Sequence, residues 1–483
     1  MQKKKAVLFL GIILSVIVQV HAQDTTAKIG SSLTIQQCVD IAIKNNLQVR
    51  QSDFTMQSNG LAFKQSKDNL LPQINGSASQ GINFGRSINP YTNQYIDEQI
   101  NTGSYALNAG LVLFSGLSLQ SAIKQNMYAY NASKLDLQQQ KDNITLYVLI
   151  SYLQVLSSQE LLDISRRQAD VDFKQVQRLL DMNKEGAVTP LSNLSDLQGQ
   201  YAADQAGIVT AVNNLETAKI ALFQYMNIPY KRDAQYEQVA LDLLAPDAQE
   251  NSDTIFQNAL NIIPSIKSAD FKVKAYQKAL QYYRGQYYPT LSLYGSLSSN
   301  YSSAATSTLY GPNVDVASTN YVTVNGTEYP VIVQQPSSST TSKIAFSDQF
   351  KNNRFTQVGL QLSIPILNYL RTRNNVKQAK INLKSAEVSA TSAKNQLQQN
   401  VEQAYQNQVA AYGQFKSYQD QSKAFGESFR ITEIRFNEGV ITSDVYLLAK
   451  NKLDAANVNL IASKYNYIFR TKILDYYRGA LKW

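Results

Sequence analysis

The sequence predicts a mainly α fold with a β-barrel part, laid out as a duplicated unit, and three observations carry that reading. The chain matches itself at two constant offsets. Each copy contains a 66-residue stretch without proline, Ser118 to Asn183 and Arg371 to Phe436. Four segments of about ten residues alternate apolar and polar side chains, the period of a half-buried strand.

The first 22 residues read as a secretory signal peptide. Lys3, Lys4 and Lys5 precede an apolar run from Ala6 to Val18, and Val20-His21-Ala22 is a small-residue cleavage site. No lipid-attachment cysteine follows it. Cleavage would remove His21, the one histidine, so no Ser-His-Asp or Cys-His set and no His-containing zinc site is expected. Cys38 is the one cysteine and has no partner for a disulfide; it reads as a small buried residue. No catalytic residue, cofactor site or metal site is expected. The formal charge is +9, and loss of the three leader lysines leaves +6, too mild and dispersed for nucleic acid.

The repeat takes residues 23–226 and 254–483, with an inter-repeat segment at 227–253. At an offset of 217, Val49 meets Ile266 and Pro72 meets Pro289. At an offset of 253, Lys124-Gln125 meets Lys377-Gln378 and Glu185-Gly186 meets Glu438-Gly439. The difference of 36 residues is an insertion between the second proline and the fourth strand. Each half then runs helix, Pro, strand, loop, strand, very long helix, Gly-centred turn, helix.

Strands are expected at about 73–84, 105–114, 290–301 and 356–366. In the second, Tyr105, Leu107, Ala109, Leu111 and Leu113 share one face; in the fourth, Leu360, Leu362, Ile364 and Ile366 do, with Gln361 and Ser363 opposite. Ten residues is the length a tilted strand needs to cross the hydrocarbon layer, and four strands cannot close a barrel alone. The first inter-strand loop carries Tyr91 and Tyr95. The second, about 302–355, reads as a mobile surface loop rich in Ser and Thr, within which Asn325-Gly326 between alternating runs is a hairpin signal.

Each 66-residue helix would extend roughly 100 Å at 1.5 Å per residue. Along the second, Ala379, Leu383, Ala386, Ala390, Ala393, Leu397, Asn400, Ala404, Asn407 and Ala411 alternate steps of four and three, a coiled-coil seam of small residues. Ile381, Val388 and Val409 form a second, weaker stripe, so neighbours are expected on two sides. The turns that end these helices, near 186 and 439, place Gly186 and Gly439 at the left-handed position after a helix, with Thr442, Ser443 or Asp444 able to cap the next helix and Pro190 suited to its first turn.

Taken together, "LTIQQCVDIAIKNNLQV", "GLQLSIPILNYLRTRNNVKQA" and "RFNEGVITSDVYLLAKNKLDAANVNL", in an order repeated twice, resemble the TolC-like outer-membrane efflux channel family, also called outer-membrane factors. The resemblance covers nearly the whole mature chain. It implies a homotrimer whose strands close one 12-stranded barrel in outer-membrane lipid, continued by a periplasmic α-helical tube. It implies an exit duct for a tripartite efflux pump or type I secretion system, docked on a periplasmic adaptor (membrane fusion protein) driven by an inner-membrane transporter, with no enzyme activity. Gly186, Ala187, Val188, Thr189, Gly439, Val440, Ile441 and Thr442 would be the adaptor-docking tips, and Asp444 would stand at the periplasmic entrance. Leu191, Ser192 and Asn193 in the first tip, and Leu447 and Leu448 beyond Asp444, argue against a double acidic ring. A belt around the tube's middle would come mainly from residues 227–253. The competing reading is a secreted coiled-coil spacer or fibre of the envelope, which would have no use for four alternating strands.

Overall fold

The computed structural model describes residues 32–88, 93–186, 191–238, 245–246 and 251–480. The expected signal peptide (residues 1–22), Tyr91 and the carboxyl-terminal Trp483 lie outside them. In chain order the elements are β1 (Ser32–Leu33), α1 (Ile35–Asn45), α2 (Leu47–Asp68), β2 (Gln73–Asn83), β3 (Arg86–Ile88), β4 (Tyr95–Asp97), β5 (Ile100–Ser115), α3 (Ser118–Lys184) and α4 (Leu191–Met226). After β6 (Gln235–Tyr236) come α5 (Ser252–Ile262), α6 (Pro264–Gly285), β7 (Thr290–Ser302), β8 (Thr306–Tyr310), β9 (Asn313–Val324), β10 (Thr327–Pro336), β11 (Ser339–Lys343), α7 (Phe346–Asn352), β12 (Phe355–Ser363), α8 (Arg371–Asn437) and α9 (Ser443–Arg478).

The duplication is visible in the elements themselves. The pair α1 and α2 reappears as α5 and α6 at the offset of 217 and with identical lengths of 11 and 22 residues. Both long helices are 67 residues and both returning helices 36. Local chemistry sets their starts. Thr34 and Gln37 cap α1 reciprocally, Asn46 and Asn251 accept from the first N–H groups of α2 and α5, and Pro264 opens α6, where a missing N–H goes unnoticed.

The four main strands form one antiparallel sheet in the order β12-β7-β5-β2, so β5 and β7 join the halves while β12 and β2 are open edges. Cross-strand partners share a face. Leu107 opposes Leu297, Leu111 opposes Leu293, and Leu293 and Leu291 oppose Leu360 and Leu362, which makes one face apolar. Asn108 with Ser296, and Ser292 with Gln361, lie on the polar face.

Two strand assignments change. The register of β5 slips between Val112 and Phe114, so Leu113 is the bulged residue and Phe114 takes its place opposite Leu291 on the apolar face. The fourth strand ends at Ser363, leaving Ile364 and Ile366 in the connection to α8. Pro365 has no N–H for a ladder, and it pushes the residue before it away from a helical conformation, so the chain leaves the sheet there. Both halves then turn from strand to helix through two consecutive residues with positive φ, Gly116-Leu117 and Tyr369-Leu370.

The segment expected to be a mobile surface loop is a hydrogen-bonded ribbon: β8 pairs with β11, β9 pairs with β10, and Asn325 and Gly326 form the turn with φ of 51° and 84°. Both positive values fit the hairpin signal in the sequence.

The helix seam follows the expected one through Ala379, Ala390, Leu397, Ala404 and Ala411 and differs at its two asparagines: Val401 and Gln408 are buried, while Asn400 is exposed and Asn407 half-buried. The reason is a new neighbour. Ile255 and Ala259 of α5 pack against Leu397, Val401 and Ala404 and draw the buried stripe toward themselves.

The described part of the inter-repeat segment packs beside the start of the first repeat. β6 of the inter-repeat segment pairs in parallel with β1, and the Tyr152 hydroxyl lies 2.8 Å from the Leu33 carbonyl oxygen and 2.9 Å from that of Glu237. Leu33, Ile35, Val39, Tyr236 and Cys38 share the core with Val148, Leu156 and Phe223. The segment before α1 therefore packs together with β6 of the inter-repeat segment. Cys38 is fully buried and unpaired, as its sequence reading holds, and burial raises its thiol to about 12.

Candidate functional site

The two helix turns end up side by side at the end of the molecule far from the sheet. Glu185 and Glu438 cap the long helices, and Gly186 and Gly439 follow with φ of 83° and 71°. Nothing would touch a Cβ at either glycine, so the left-handed turn, not crowding, is what favours glycine there. Ala187, Val188, Thr189 and Pro190 lie outside the described residues.

In the second turn Val440 is exposed, Ile441 is half-buried against the tip cluster, and Thr442 is the exposed N-cap of α9. The Thr442 hydroxyl bonds the Asp444 carboxylate, which also accepts from backbone N–H groups of the first turn; these bonds hold its pKa below the usual carboxylate value. Asp444 is exposed, and the next exposed side chains, Val445 and Leu448, are apolar.

What brings the turns together is a small core and a set of polar ties. Val176 and Leu179 of α3, Leu197 of α4, Phe436 of α8 and Tyr446 of α9 are buried in one cluster, with the Phe436 and Tyr446 rings stacked at 4.7 Å. Arg178 donates to the side-chain and backbone oxygens of Asn437. Ser443, 2% exposed, sits with its hydroxyl 2.9 Å from Asn193 Oδ1 and 2.8 Å from Asp196 Oδ2. The hairpins are thus joined across the two repeats.

Seven residues into α9, roughly 10 Å along the helix from Ser443, Lys450 is buried among three carboxylates. Its Nζ donates to Asp204 Oδ2 of α4 at 3.2 Å and to Asp454 Oδ2 at 2.7 Å. It also lies 3.1 Å from Asp172 Oδ2 of α3, a contact of charge without hydrogen-bond geometry. Burial pushes Asp172 up to about 7 against the pull of Lys450, and Asp204 pushes it the same way as burial. Burial likewise raises Asp454. For Lys450 burial opposes the charge, yet Asp454, Asp172 and Asp204 together hold its pKa above the ordinary lysine value. A second tie, Lys464 to Glu160 at 2.9 Å, joins α9 to α3 further along.

None of the quartet figured among the sequence-predicted residues. A signal existed, since Ser443, Tyr446 and Lys450 are spaced by three and four and so put a lysine on the buried stripe of α9. Asp172 and Asp204 come from the other hairpin, and nothing in their spacing announces them. Of the four residues expected on the lipid face, Leu360 and Leu362 stand in the sheet, and Ile364 and Ile366 follow it. Among the described residues no group of side chains has the make-up of a metal site, and no helix is long and apolar enough to cross a membrane.

Comparison with known proteins places this geometry. The sequence model of the outer membrane efflux protein family matches residues 38–227 and 255–471, one match to each repeat. The chain is 23% identical over 410 residues to the outer membrane protein TolC of Vibrio cholerae, covering 84% of this chain and 82% of that protein. Among solved structures, VceC of Vibrio cholerae superposes with a TM-score of 0.72 at 12% identity, over 92% of this chain and 96% of that one. The open-state MtrE outer membrane channel of Neisseria gonorrhoeae superposes with a TM-score of 0.67 at 17% identity, over 93% and 89%. At these identities the structures speak for the fold.

Proposed function

The chain belongs to the outer membrane efflux protein family, and from that membership we propose that this outer-membrane channel serves as the exit duct of a tripartite efflux pump or type I secretion system. The observation that carries the proposal is the sheet β12-β7-β5-β2, apolar on one face, polar on the other and open at both edges. Four strands cannot close on themselves, whereas three copies pairing β12 of one to β2 of the next give twelve strands, enough to enclose a watery lumen. Leu360 and Leu362 then face lipid and Gln361 faces the lumen.

The exposed stripe of Ile381, Val388 and Val409, at 60%, 69% and 42%, supports side-by-side packing of copies along the long helices. The helices run on from the strands as a tube through the periplasm. At its far end Gly439, Val440, Ile441 and Thr442, with the first turn at Gly186 through Thr189, dock a periplasmic adaptor, through which an inner-membrane transporter delivers cargo. Asp444 sits at the entrance as a single acidic position followed by apolar side chains. The duct itself does no chemistry.

The test is cellular. Full-length protein carrying Val440→Cys is treated with a bifunctional cross-linker, and the membrane fraction is run with and without heating. A heat-dissociable trimer in the outer membrane, with the tip cross-linked to a periplasmic adaptor, is the expected result. Recovery of the protein from the soluble periplasm would refute the proposal in favour of an envelope fibre.

A further inference from the structure

The outer end of the sheet, farthest from the helices, carries a built feature with no part in docking or conduction. Helix α7 folds back onto the apolar face of β5 and β7. Gln349, 1% exposed, donates from Nε2 to the carbonyls of Ser302 and Ile344 and accepts from the Ser302 N–H. Ser299 Oγ donates to the Phe350 carbonyl, and Asn353 Nδ2 to that of Asn300. These five bonds set Phe346 against Tyr105 and Tyr301, with ring centroids 5.9 and 5.3 Å away, and Phe350 against Tyr105 at 5.7 Å.

Beside this aromatic group lies a cleft of about 410 Å³. It is lined by Gly76 and Ala78 of β2, by Leu107, Leu297 and Phe350, and by Arg354. Arg354 is exposed and forms no ion pair with a carboxylate among the described residues, so its guanidinium is available.

Height locates the cleft. Ser298, at its level, is eight residues along β7 from Thr290; at roughly 3.3 Å per residue and a tilt of about 40° it stands roughly 20 Å above the helix end of the sheet. That is near the outer boundary of an apolar band about 25 Å tall, where barrel proteins carry an aromatic girdle and where lipid headgroups begin.

We propose that this cleft binds a phosphorylated lipid of the outer leaflet, with one acyl chain over Gly76 and Ala78 and the phosphate on Arg354. The inference rests on the reading of these strands as barrel wall. An apolar slot fits the chain, and a planar guanidinium at headgroup height, free of any carboxylate, fits a phosphate bidentately. A Cβ at Gly76 would stand 3.9 Å from the Leu107 methyl, so a larger side chain can be seated there to fill the slot.

The test uses delipidated full-length trimer in detergent and native mass spectrometry with three probes: phosphatidic acid, diacylglycerol with the same chains, and inorganic phosphate. Phosphatidic acid is expected to be retained at one per chain and at least tenfold more strongly than diacylglycerol, with millimolar phosphate failing to displace it. Arg354→Gln lowers retention about tenfold, Arg354→Lys restores part of it, and Gly76→Val abolishes it. Equal retention by the parent protein, Arg354→Gln and Gly76→Val refutes the site, as does equal binding of diacylglycerol or displacement by phosphate alone. Those results leave the barrel standing, whereas absence of a heat-dissociable outer-membrane trimer overturns the barrel reading and the site with it.

Discussion

Lys450→Met is the most incisive perturbation of the tip region. It keeps the length of the side chain and removes the only cation among the described residues that pairs with Asp172, Asp204 and Asp454. Stripping a partner from a buried ion cluster costs about 3–5 kcal/mol, because charge is left without compensation. The sign of its pH dependence follows from Asp172. A carboxyl raised to about 7 in the folded protein contributes stability that is complete below its unfolded value near 4 and is lost as pH rises through about 7. At pH 5 Asp172 carries a proton with or without Lys450. At pH 9 the parent carboxylate is ionised and depends on Lys450, while the variant must hold its proton or open. Two pH units above 7 widen the difference by roughly 3 kcal/mol, about a hundredfold in an opening equilibrium. Hydrogen exchange of residues 443–458 in detergent-solubilised full-length protein, corrected for intrinsic exchange, reads this directly. Exchange should rise about a hundredfold more at pH 9 than at pH 5. Asp172→Asn, which is neutral throughout, should lose the part of the pH dependence that Asp172 supplies and leave a shallower profile between those values, Asp454 being the other raised carboxyl. A Lys450→Met protein within threefold of the parent at pH 9, or one equally loosened at both pH values, would show that the quartet does not hold the hairpins together.

Three further predictions address other parts of the molecule. Gly439→Val has room for its side chain but must hold φ near 71°, a strain of about 1–3 kcal/mol; trimer yield should be unchanged while tip cross-linking to the adaptor falls at least fivefold, and undiminished cross-linking would count against the docking assignment. Gly116→Ala would place a Cβ 2.2 Å from the Gly285 carbonyl oxygen, at a position already at φ 61°, so the strand-to-helix junction of the first repeat cannot form; loss of the heat-dissociable trimer is expected, and near-normal yield would show that the junction can shift. Cys38, fully buried with its thiol raised to about 12, should resist maleimide at pH 8 in the native protein and react only after denaturation; rapid native labelling would mean that the β1 and α1 region opens.

What could be read from the sequence was what is local or periodic. Gly186 and Gly439 announce a left-handed turn by their place after a long helix, Asn325-Gly326 announces its hairpin, and the offsets of 217 and 253 survive because each repeat meets the same packing demands. What could not be read depends on a partner distant in the chain. Alternation gives Leu113 the same standing as Leu111, and only pairing with β7 reveals that one residue too many lies between Val112 and Phe114. The seam of α8 is ambiguous between Asn400 and Val401 until α5 arrives beside it. Ser32 and Leu33 look like a frayed start, yet pairing with Gln235 and Tyr236 brings Leu33 into the largest core cluster.

Lys450 is the instructive case because the two repeats do not share it: at the offset of 253 its counterpart is Leu197, and the carboxylate positions Asp172 and Asp204 correspond to Phe425 and Asn457. The duplication set the frame of two equivalent hairpins, and divergence placed an ion cluster on one side only, where α9 meets α3 and α4. A symmetric pair of hairpins would pack equally well in either order. Charges present in one repeat and matched in the other favour a single arrangement, which is the use for which a buried polar group in a helical seam is best suited. On that argument the quartet contributes more to which hairpin faces which than to net stability. Replacing all four residues together by apolar side chains should then leave the helices as stable as before while weakening the distinction between the two tips, and double labelling at Gly186 and Gly439 would detect tips that no longer keep a fixed separation.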